Sequence, residues 1–313
     1  MITGTYVIKS NGEVIGEYTN MITANGLLKV NQFLTGDIQG WADSLAVGGL
    51  SSVSTASTTT ALQHEFARYP ILFKTYQSAS GSNRILFKTS LNINDQFDIY
   101  ELGLIPSKVE LTTFMDHVTI SSFSESTSGS SNWYINSVPA TFSSASPTPR
   151  FGYNSIVLGV SGNSLTNTAS ISALTIESGR YTGNDYVGLL YHCSSNLSGT
   201  SSVTVSFGDS SDTQLIWSGS ATVSSIVSGS SYTVLLDMQD KPSEWIDPIS
   251  TASIKFAGTS GSVYLDHMKF VLGDQLLTDL QLVSRSTSAS LTVPLFKKTY
   301  GQPMDIEYYL QVT

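Results

Sequence analysis

The two ends of this 313-residue chain contain strand patterns that predict a single domain, and the segment between them has a different pattern. Near the start, the segments WADSLAVGG (41–49) and IYELGLIP (99–106) read as buried strands. The closing segments 280–286 and 304–312 have a similar strand pattern, and we predict that they form the missing edge of the same sheet. The stretch between them has short strands separated by Ser and Gly clusters, which is typical of a separate β-sandwich or barrel.

This pattern predicts an all-β protein of two domains, because a chain of this length supports two cores of ordinary size. We expect a discontinuous β-sandwich scaffold and assembly domain at residues 1–115 plus 274–313. A second β-sandwich at 116–273 interrupts it.

Local signals place the first elements of the scaffold. Asn11-Gly12, between two alternating segments, predicts an opening hairpin with a type I′ turn. Thr23 or Asn25 then caps a short helix that ends at Gly36. Apolar residues at helical spacing support this helix: Leu27, Val30, Phe33 and Leu34.

The composition excludes some partners. Charged residues make up 12% of the chain and the net charge is −9. The sequence therefore lacks the clusters of Lys and Arg that bind the phosphates of nucleic acid. Ser and Thr supply roughly a quarter of the residues, which suits a surface that contacts sugars or other proteins. We expect no nucleic-acid partner.

The N-terminal segment MITGTYVIKSNGEV shows neither a basic leader nor an apolar core, and no window approaches ~18 apolar residues. We therefore expect a soluble protein made in the cytoplasm, with no membrane partner. The single cysteine, Cys193, excludes an internal disulfide and is expected to be a small buried side chain.

The outer parts of the chain resemble a family of small virion proteins of tailed bacteriophages. The motifs that carry the resemblance are Asn20-x-Ile22-Thr23-x-x-Gly26-Leu27, Leu45-Ala-Val-Gly48, Leu62-x-x-Glu65-x-x-Arg68, Tyr100-Glu-Leu-Gly-Leu104, Val283-Ser-Arg285 and Asp305-Ile-Glu-Tyr308. The resemblance implies a structural protein of the tail, collar or capsid-decoration type that forms homo-oligomers and contacts other virion proteins. It places the chain in the virion, after synthesis in the host cytoplasm. The long insertion after Ser107 distinguishes this chain from the short members of the family.

The insertion is similar to the galactose-binding-like jelly rolls that serve as carbohydrate-binding modules. The matching motifs are Phe123-Ser-Glu125 before Trp133, Ser178-Gly179-x-Tyr181, Val203-x-Val-Ser-Phe-Gly208 and Gly261-Ser-Val-Tyr-Leu-Asp266. The resemblance implies an inserted β-jelly-roll and a possible structural calcium held by Glu125 and Asp266. Calcium favours such carboxylate oxygens.

No catalytic centre is predicted, and we expect the protein not to be an enzyme. The four histidines show no metal-ligand spacing: His64, His117, His192 and His267. A glycosidase needs two neighbouring carboxyl groups, and the sequence offers two such pairs, Asp237 with Asp240 and Glu244 with Asp247. Solvated carboxylates in loops explain both pairs.

Aromatic side chains give the functional hypothesis for the insertion, because a flat ring stacks on the apolar face of a sugar. Trp133 and Trp217 lie in strand patterns and are predicted to be core residues. Tyr153, Tyr181 and Trp245 neighbour Gly, Asn or Pro, so we expect them at exposed loops as carbohydrate-binding residues.

Three functions follow from these observations. The first is a virion structural component of the tail, neck, collar or fibre attachment, with an outward-facing jelly roll. The second is a capsid decoration or cement protein. The third is a carbohydrate-binding protein that recognises host surface glycans.

Overall fold

The elements were assigned from a computed structural model of the chain. It describes residues 2–38, 41–50, 62–79, 82–106, 119–121, 123, 133–135, 138–140, 142–143, 150–152, 155–160, 168–171, 186–193, 197–208, 215–226, 230–238, 240, 249–257, 261–271, 283–289 and 293–312.

One helix and 24 strands occur within these ranges. The first half contains β1 (Ile2–Ser10), β2 (Glu13–Thr19), β3 (Met21–Ile22), α1 (Ala24–Thr35), β4 (Ser44–Gly48), β5 (Glu65–Pro70), β6 (Phe73–Ala79), β7 (Ser82–Leu91), β8 (Phe97–Ile99), β9 (Glu101–Ile105), β10 (Thr119–Ser121), β11 (Trp133–Ile135), β12 (Val138–Pro139), β13 (Phe142–Ser143) and β14 (Ser155–Val160). The second half contains β15 (Thr168–Ile171), β16 (Tyr186–Cys193), β17 (Leu197–Gly208), β18 (Leu215–Ile226), β19 (Ser231–Asp237), β20 (Thr251–Ala257), β21 (Gly261–Val271), β22 (Ser284–Thr287), β23 (Phe296–Lys298) and β24 (Met304–Val312). The described α-helix is too short to cross a membrane.

The chain divides into two compact units. Unit 1 combines Met1–His117 with Asp274–Thr313, and unit 2 is Val118–Gly273. The fold class predicted from the sequence is confirmed: an all-β chain of sandwich and jelly-roll sheets with one short helix.

Unit 1 is built from two five-stranded sheets and a two-stranded ribbon. Sheet 1 has the order β2-β1-β24-β7-β6, sheet 2 has the order β3-β22-β9-β4-β5, and β23 pairs with β8. The opening hairpin is confirmed, because Asn11 and Gly12 adopt the positive φ angles of 51° and 84° that a type I′ turn requires.

The C-terminal strand is not at a sheet edge, so that prediction was wrong. Strand β24 lies between β1 and β7, with Tyr308 opposite both Tyr6 and Phe87. Its inward side chains are apolar enough for a central position, since Ile306, Tyr308 and Leu310 are all buried. Both ends of the chain therefore share the middle of one sheet.

A polar network in unit 1 joins residues from the two ends of the chain. Asn20 donates from Nδ2 to Ser284 Oγ at 2.6 Å and to Tyr308 Oη at 2.7 Å, and the Tyr6 hydroxyl lies 2.9 Å from the same Ser284 oxygen. Burial raises the pKa of Tyr308 and of Tyr6, so both hydroxyls remain protonated donors. Among the described residues, Asn20 Oδ1 is buried without a hydrogen-bond partner. The three bonds of the network nevertheless link residues from both ends of the chain and favour one arrangement of the sheets.

Helix α1 begins and ends as predicted. Thr23 accepts a hydrogen bond from Gly26 N at 3.0 Å, and Gly36 ends the helix in the left-handed conformation at φ 80°. The apolar positions behave differently from those of an ordinary amphipathic helix, because Leu27, Phe33 and Leu34 remain exposed.

Unit 2 is a sandwich of two six-stranded sheets. Sheet 3 has the order β13-β14-β21-β16-β19, with β10 also paired to β21. Sheet 4 has the order β12-β11-β15-β20-β17-β18. Apolar side chains from both sheets form one core, whose aromatic members are Phe123, Trp133, Tyr191, Phe207, Trp217, Phe256 and Phe270. The prediction that Trp133 and Trp217 are core residues is thus confirmed.

Candidate functional site

The outward face of sheet 4 is lined by hydroxyl groups. Along β17 the side chains alternate, so Val203, Val205 and Phe207 are fully buried while Thr204 and Ser206 are partly exposed. Strand β20 repeats this alternation with Ile254 buried and Lys255 exposed. One face of the sheet therefore closes the core and the other carries small polar groups.

The strand register aligns outward positions of β11, β20, β17 and β18 into one row, which passes through residue 170 of β15 by backbone pairing. Tyr134 on β11 pairs with Ser170, Ser170 pairs with Ser253, Ser253 pairs with Ser206, and Ser206 pairs with Ser218 on β18. At ~4.8 Å between neighbouring strands, this row spans about 19 Å.

A second row runs beside the first. Lys255 on β20 pairs with Thr204, and Thr204 pairs with Ser220. The hydroxyls of Thr204 and Ser220 lie 2.6 Å apart, and those of Ser206 and Ser218 lie 2.8 Å apart. Each hydroxyl keeps a donor or acceptor for a ligand, since a hydroxyl offers one donor and two acceptor sites.

Tyr134 is the aromatic member of this face and is 38% exposed. Sequence reasoning did not single it out, although the signal was present. Because side chains alternate along a strand, a buried Trp133 requires Tyr134 to point the other way. The carbohydrate-binding residues that were predicted, Tyr153, Tyr181 and Trp245, lie outside the described residues and stay a prediction.

Asp266 lies at the centre of a buried network rather than at the surface. Its Oδ2 accepts hydrogen bonds from Arg150 N at 2.8 Å and from His192 Nε2 at 2.7 Å. Its Oδ1 accepts one from Phe151 N at 3.0 Å. The carboxylate therefore fixes the 150–152 segment onto strands β16 and β21.

Both oxygens of Asp266 are occupied by groups of the chain itself. Calcium takes 6–8 oxygen ligands, whereas the three described partners of Asp266 are two backbone N–H groups and the imidazole of His192. Within the described residues, no group of three or more His, Cys, Asp or Glu side chains is placed to hold a metal ion. Glu125 lies outside those residues, so the pairing of Glu125 with Asp266 remains untested.

Ser231, His192 and Asp266 form a chain of the residue types used in nucleophilic hydrolases. His192 Nδ1 lies 2.5 Å from Ser231 Oγ, and Nε2 contacts Asp266. His192 and Asp266 are buried, however, and Ser231 lies directly opposite His192 in the strand register. Cross-strand pairing explains the chain, and a substrate has no access to the imidazole.

His267 follows Asp266 and is also buried, against the ring of Phe151 at 4.2 Å between centroids. Burial, followed by the charge of Lys269, lowers the pKa of His267 well below its usual value. The imidazole is therefore neutral at neutral pH. The carboxylates considered for glycoside hydrolysis give no acid and base pair, since Asp237 and Asp240 are exposed and Glu244 and Asp247 lie outside the described residues.

Unit 1 contains a depression of about 370 Å³ on the outward face of sheet 1. Its two cationic groups, Lys9 and Arg84, have partners within the chain. Lys9 binds Glu307 with a shortest N–O distance of 2.7 Å, and the Arg84 guanidinium lies 4.0 Å from the centre of the Tyr309 ring. Burial and the hydrogen bond to Glu307 raise the pKa of Tyr309 to about 12. These contacts stabilise the sheet face and occupy side-chain groups that a ligand would otherwise contact.

A second exposed surface of unit 1 is apolar. Leu27, Leu28 and Leu34 project from α1, and Leu34 is 75% exposed. Isolated apolar side chains at a surface are ordinary, but neighbouring ones on a single helix indicate a contact surface.

Comparisons with known proteins show a loose likeness to sugar-binding folds. No family model matches the chain, and no curated protein does. Among solved structures, a CBM28 carbohydrate-binding module specific for non-crystalline cellulose matches with 16% identity and a TM-score of 0.34, over 44% of this chain and 86% of that one.

A family 11 carbohydrate-binding module from Clostridium thermocellum, solved with a β-1,3-1,4-mixed-linked tetrasaccharide, matches with 11% identity and a TM-score of 0.32, over 50% of this chain and 95% of that one. An α-L-arabinofuranosidase, MgGH51, matches with 10% identity and a TM-score of 0.35, over 49% of this chain and 26% of that one. At such scores the ligands and activities of those proteins carry no argument for this chain.

Proposed function

We propose that unit 2 is a non-catalytic carbohydrate-binding domain that recognises host surface glycans through the outward face of sheet 4. The observation that carries the proposal is the row of paired positions that runs from Tyr134 to Ser218 across five strands, with exposed or partly exposed side chains on β11, β20, β17 and β18. A flat array of this kind matches the repeating hydroxyls of an extended oligosaccharide.

The chemistry of the face supports a neutral or mildly acidic sugar. Serine and threonine hydroxyls both donate and accept, as sugar hydroxyls do, and their desolvation costs less than that of charged groups. Lys255 is the exposed cation of the face and favours a ligand with carboxylate or sulfate groups. The Tyr134 ring provides the apolar surface on which a pyranose stacks.

The predicted loop residues Tyr153, Tyr181 and Trp245 belong to the same proposal. We expect at least one of them to extend the stacking surface beyond the strands. Calcium bound through Glu125 and Asp266 is not required for this binding mode.

Titration calorimetry with a panel of soluble polysaccharides tests the proposal. Tyr134→Ala removes a stacking area of about 60 Å², or about 1.5 kcal/mol, and should weaken binding about tenfold. The matched control is Tyr300→Ala, an exposed tyrosine of unit 1, which should leave the affinity unchanged. Trp245→Ala extends the test to the loops.

Two outcomes contradict this proposal. The first is no binding to any glycan on an array of host-surface sugars. The second is binding that none of the Tyr134, Tyr153, Tyr181 and Trp245 substitutions weakens, which would exclude the stacking mechanism.

We propose, on a separate observation, that unit 1 is the attachment domain of a tailed phage virion. The exposed apolar residues of α1 support a docking role, and the motifs of unit 1 resemble those of proteins found in the tail, neck, collar or fibre attachment. Capsid decoration is the alternative location. In both cases the partners are other virion proteins and further copies of the chain.

Mass spectrometry of purified virions tests this second proposal. We expect the chain in stoichiometric copy number. Its absence from purified particles, with detection in the lysate, would exclude the virion role and leave the glycan proposal standing.

A further inference from the structure

Sheet 1 has two edge strands of different character. Among the described strands, β6 pairs with β7 alone and β2 pairs with β1 alone. Edge strands present unpaired N–H and C=O groups, and proteins normally protect such edges with charges, bulges or covering segments.

Strand β2 is protected in this way. It contains Glu13 and Glu17, and its register with β1 is irregular between Ile8 and Lys9. In an antiparallel pair of two β2 strands centred on Ile15, Glu13 of each copy would lie opposite Glu17 of the other, and like charges at opposed positions destabilise a strand pair.

Strand β6 lacks these devices. Its sequence FKTYQSA contains one charged residue, Lys74, whose ammonium group is held by Asp43 of the same chain. Its register with β7 is regular from Phe73 to Ala79. Phe73 and Tyr76 are exposed, and Tyr76 retains 63% of its accessible surface.

The β6 sequence is also complementary to itself. In an antiparallel pair centred on Tyr76, each Lys74 lies opposite Ser78 of the other copy and each Thr75 lies opposite Gln77. Like charges do not meet, and the two Tyr76 rings face each other at the centre. Aromatic cross-strand pairs of this kind stabilise antiparallel sheets.

We infer that β6 pairs antiparallel with β6 of a second copy of this chain, so that two five-stranded sheets join into a continuous ten-stranded sheet. This inference assigns a surface to the self-association assumed for the attachment domain. It is independent of glycan binding by unit 2. The pairing is isologous, as the two-fold symmetry of a homodimer requires.

Register-specific cross-linking tests the pairing. Directly opposed residues in an antiparallel pair have Cβ atoms about 4.5–5.5 Å apart, close enough for a disulfide after a small adjustment. In a Cys193→Ser background, which removes the single native cysteine, Tyr76→Cys should form a covalent dimer under mild oxidation. Ile15→Cys, at an exposed position of the β2 edge, is the matched control and should not.

Sedimentation velocity gives a second measurement in the native chain. Tyr76→Glu places two carboxylates opposite each other and should weaken the dimer at least about tenfold, whereas Ile15→Glu should not. Circular dichroism confirms that both variants fold.

The outcomes separate the two proposals for unit 1. A wild-type chain that remains monomeric at high micromolar concentration overturns both the pairing and self-association. A dimer that Tyr76→Glu does not weaken, or that cross-links through Ile15→Cys, overturns the β6 pairing and leaves self-association in place.

Discussion

Replacement of Arg285 by methionine removes the cation from a buried ion pair of unit 1. Arg285 on β22 contacts Glu101 on β9, and the two side chains are 1% and 0% exposed. Glu101 Oε2 also accepts a hydrogen bond from Gln63 N at 2.9 Å. Without the guanidinium, water cannot reach the carboxylate to solvate it. The expected cost is about 3–5 kcal/mol.

This cost is a large share of the about 5–15 kcal/mol that stabilises a typical domain. The double variant Arg285→Met with Glu101→Gln should regain part of the loss, because glutamine removes the buried charge and keeps an acceptor for Gln63 N. The control is Lys297→Met. Lys297 lies 3.0 Å from Asp98 but is 57% exposed, so its loss should cost less than about 1 kcal/mol.

Urea unfolding followed by fluorine NMR of 5-fluorotryptophan-labelled protein measures these effects unit by unit. Trp41 is the single tryptophan of unit 1, and Trp133, Trp217 and Trp245 belong to unit 2. The Trp41 signal should shift to a lower midpoint in Arg285→Met. A loss below about 1 kcal/mol, equal to that of Lys297→Met, would refute the reasoning that desolvation dominates this pair.

Three further predictions concern the rest of the chain. Gly26→Ala should destabilise unit 1 by about 1–3 kcal/mol in thermal unfolding, because its Cβ would lie 2.0 Å from the Val283 carbonyl oxygen, whereas Asn31→Ala on the same helix should not. Acidification should destabilise unit 2: the pKa of His267 is lowered in the fold, so the unfolded state takes up the proton first. Stability is then complete above about pH 6.5 and falls below it by up to about 1.4 kcal/mol per pH unit, and His267→Gln should flatten this slope. Replacement of residues 118–273 by a short Gly and Ser linker should leave a folded unit 1, since β24 still pairs with β1 and β7 and loop closure costs about 0.6 kcal/mol per doubling of length; a product without a cooperative melt would contradict this.

Local chemistry made several elements of unit 1 predictable from the sequence. Asn11-Gly12 favours one turn type, and Thr23 and Gly36 satisfy the ends of a helix, so these features depend on few neighbours. The position of β24 was not predictable in the same way. Its alternation shows that one face is buried, but whether a strand is central or at an edge depends on pairing between distant segments.

The candidate site shows the same division. Burial of Trp133 and Trp217 followed from their strand patterns, and the exposure of Tyr134 follows from the same alternation. The alignment of Tyr134 with Ser218 through three intervening strands depends on register, which the sequence alone does not set. The calcium site of Glu125 and Asp266 stays a prediction, since Glu125 lies outside the described residues. The described partners of Asp266 are two backbone N–H groups and an imidazole, which no motif indicated.

Hydroxyl-radical footprinting of the intact protein, with and without the best polysaccharide ligand, tests the central claim most directly. It reports the solvent accessibility of individual side chains. We predict that bound ligand slows oxidation of Tyr134 and leaves the oxidation rate of Tyr300 in unit 1 unchanged. Saturating ligand that leaves the oxidation rate of Tyr134 unaltered would contradict the assignment of sheet 4 as the glycan-binding face.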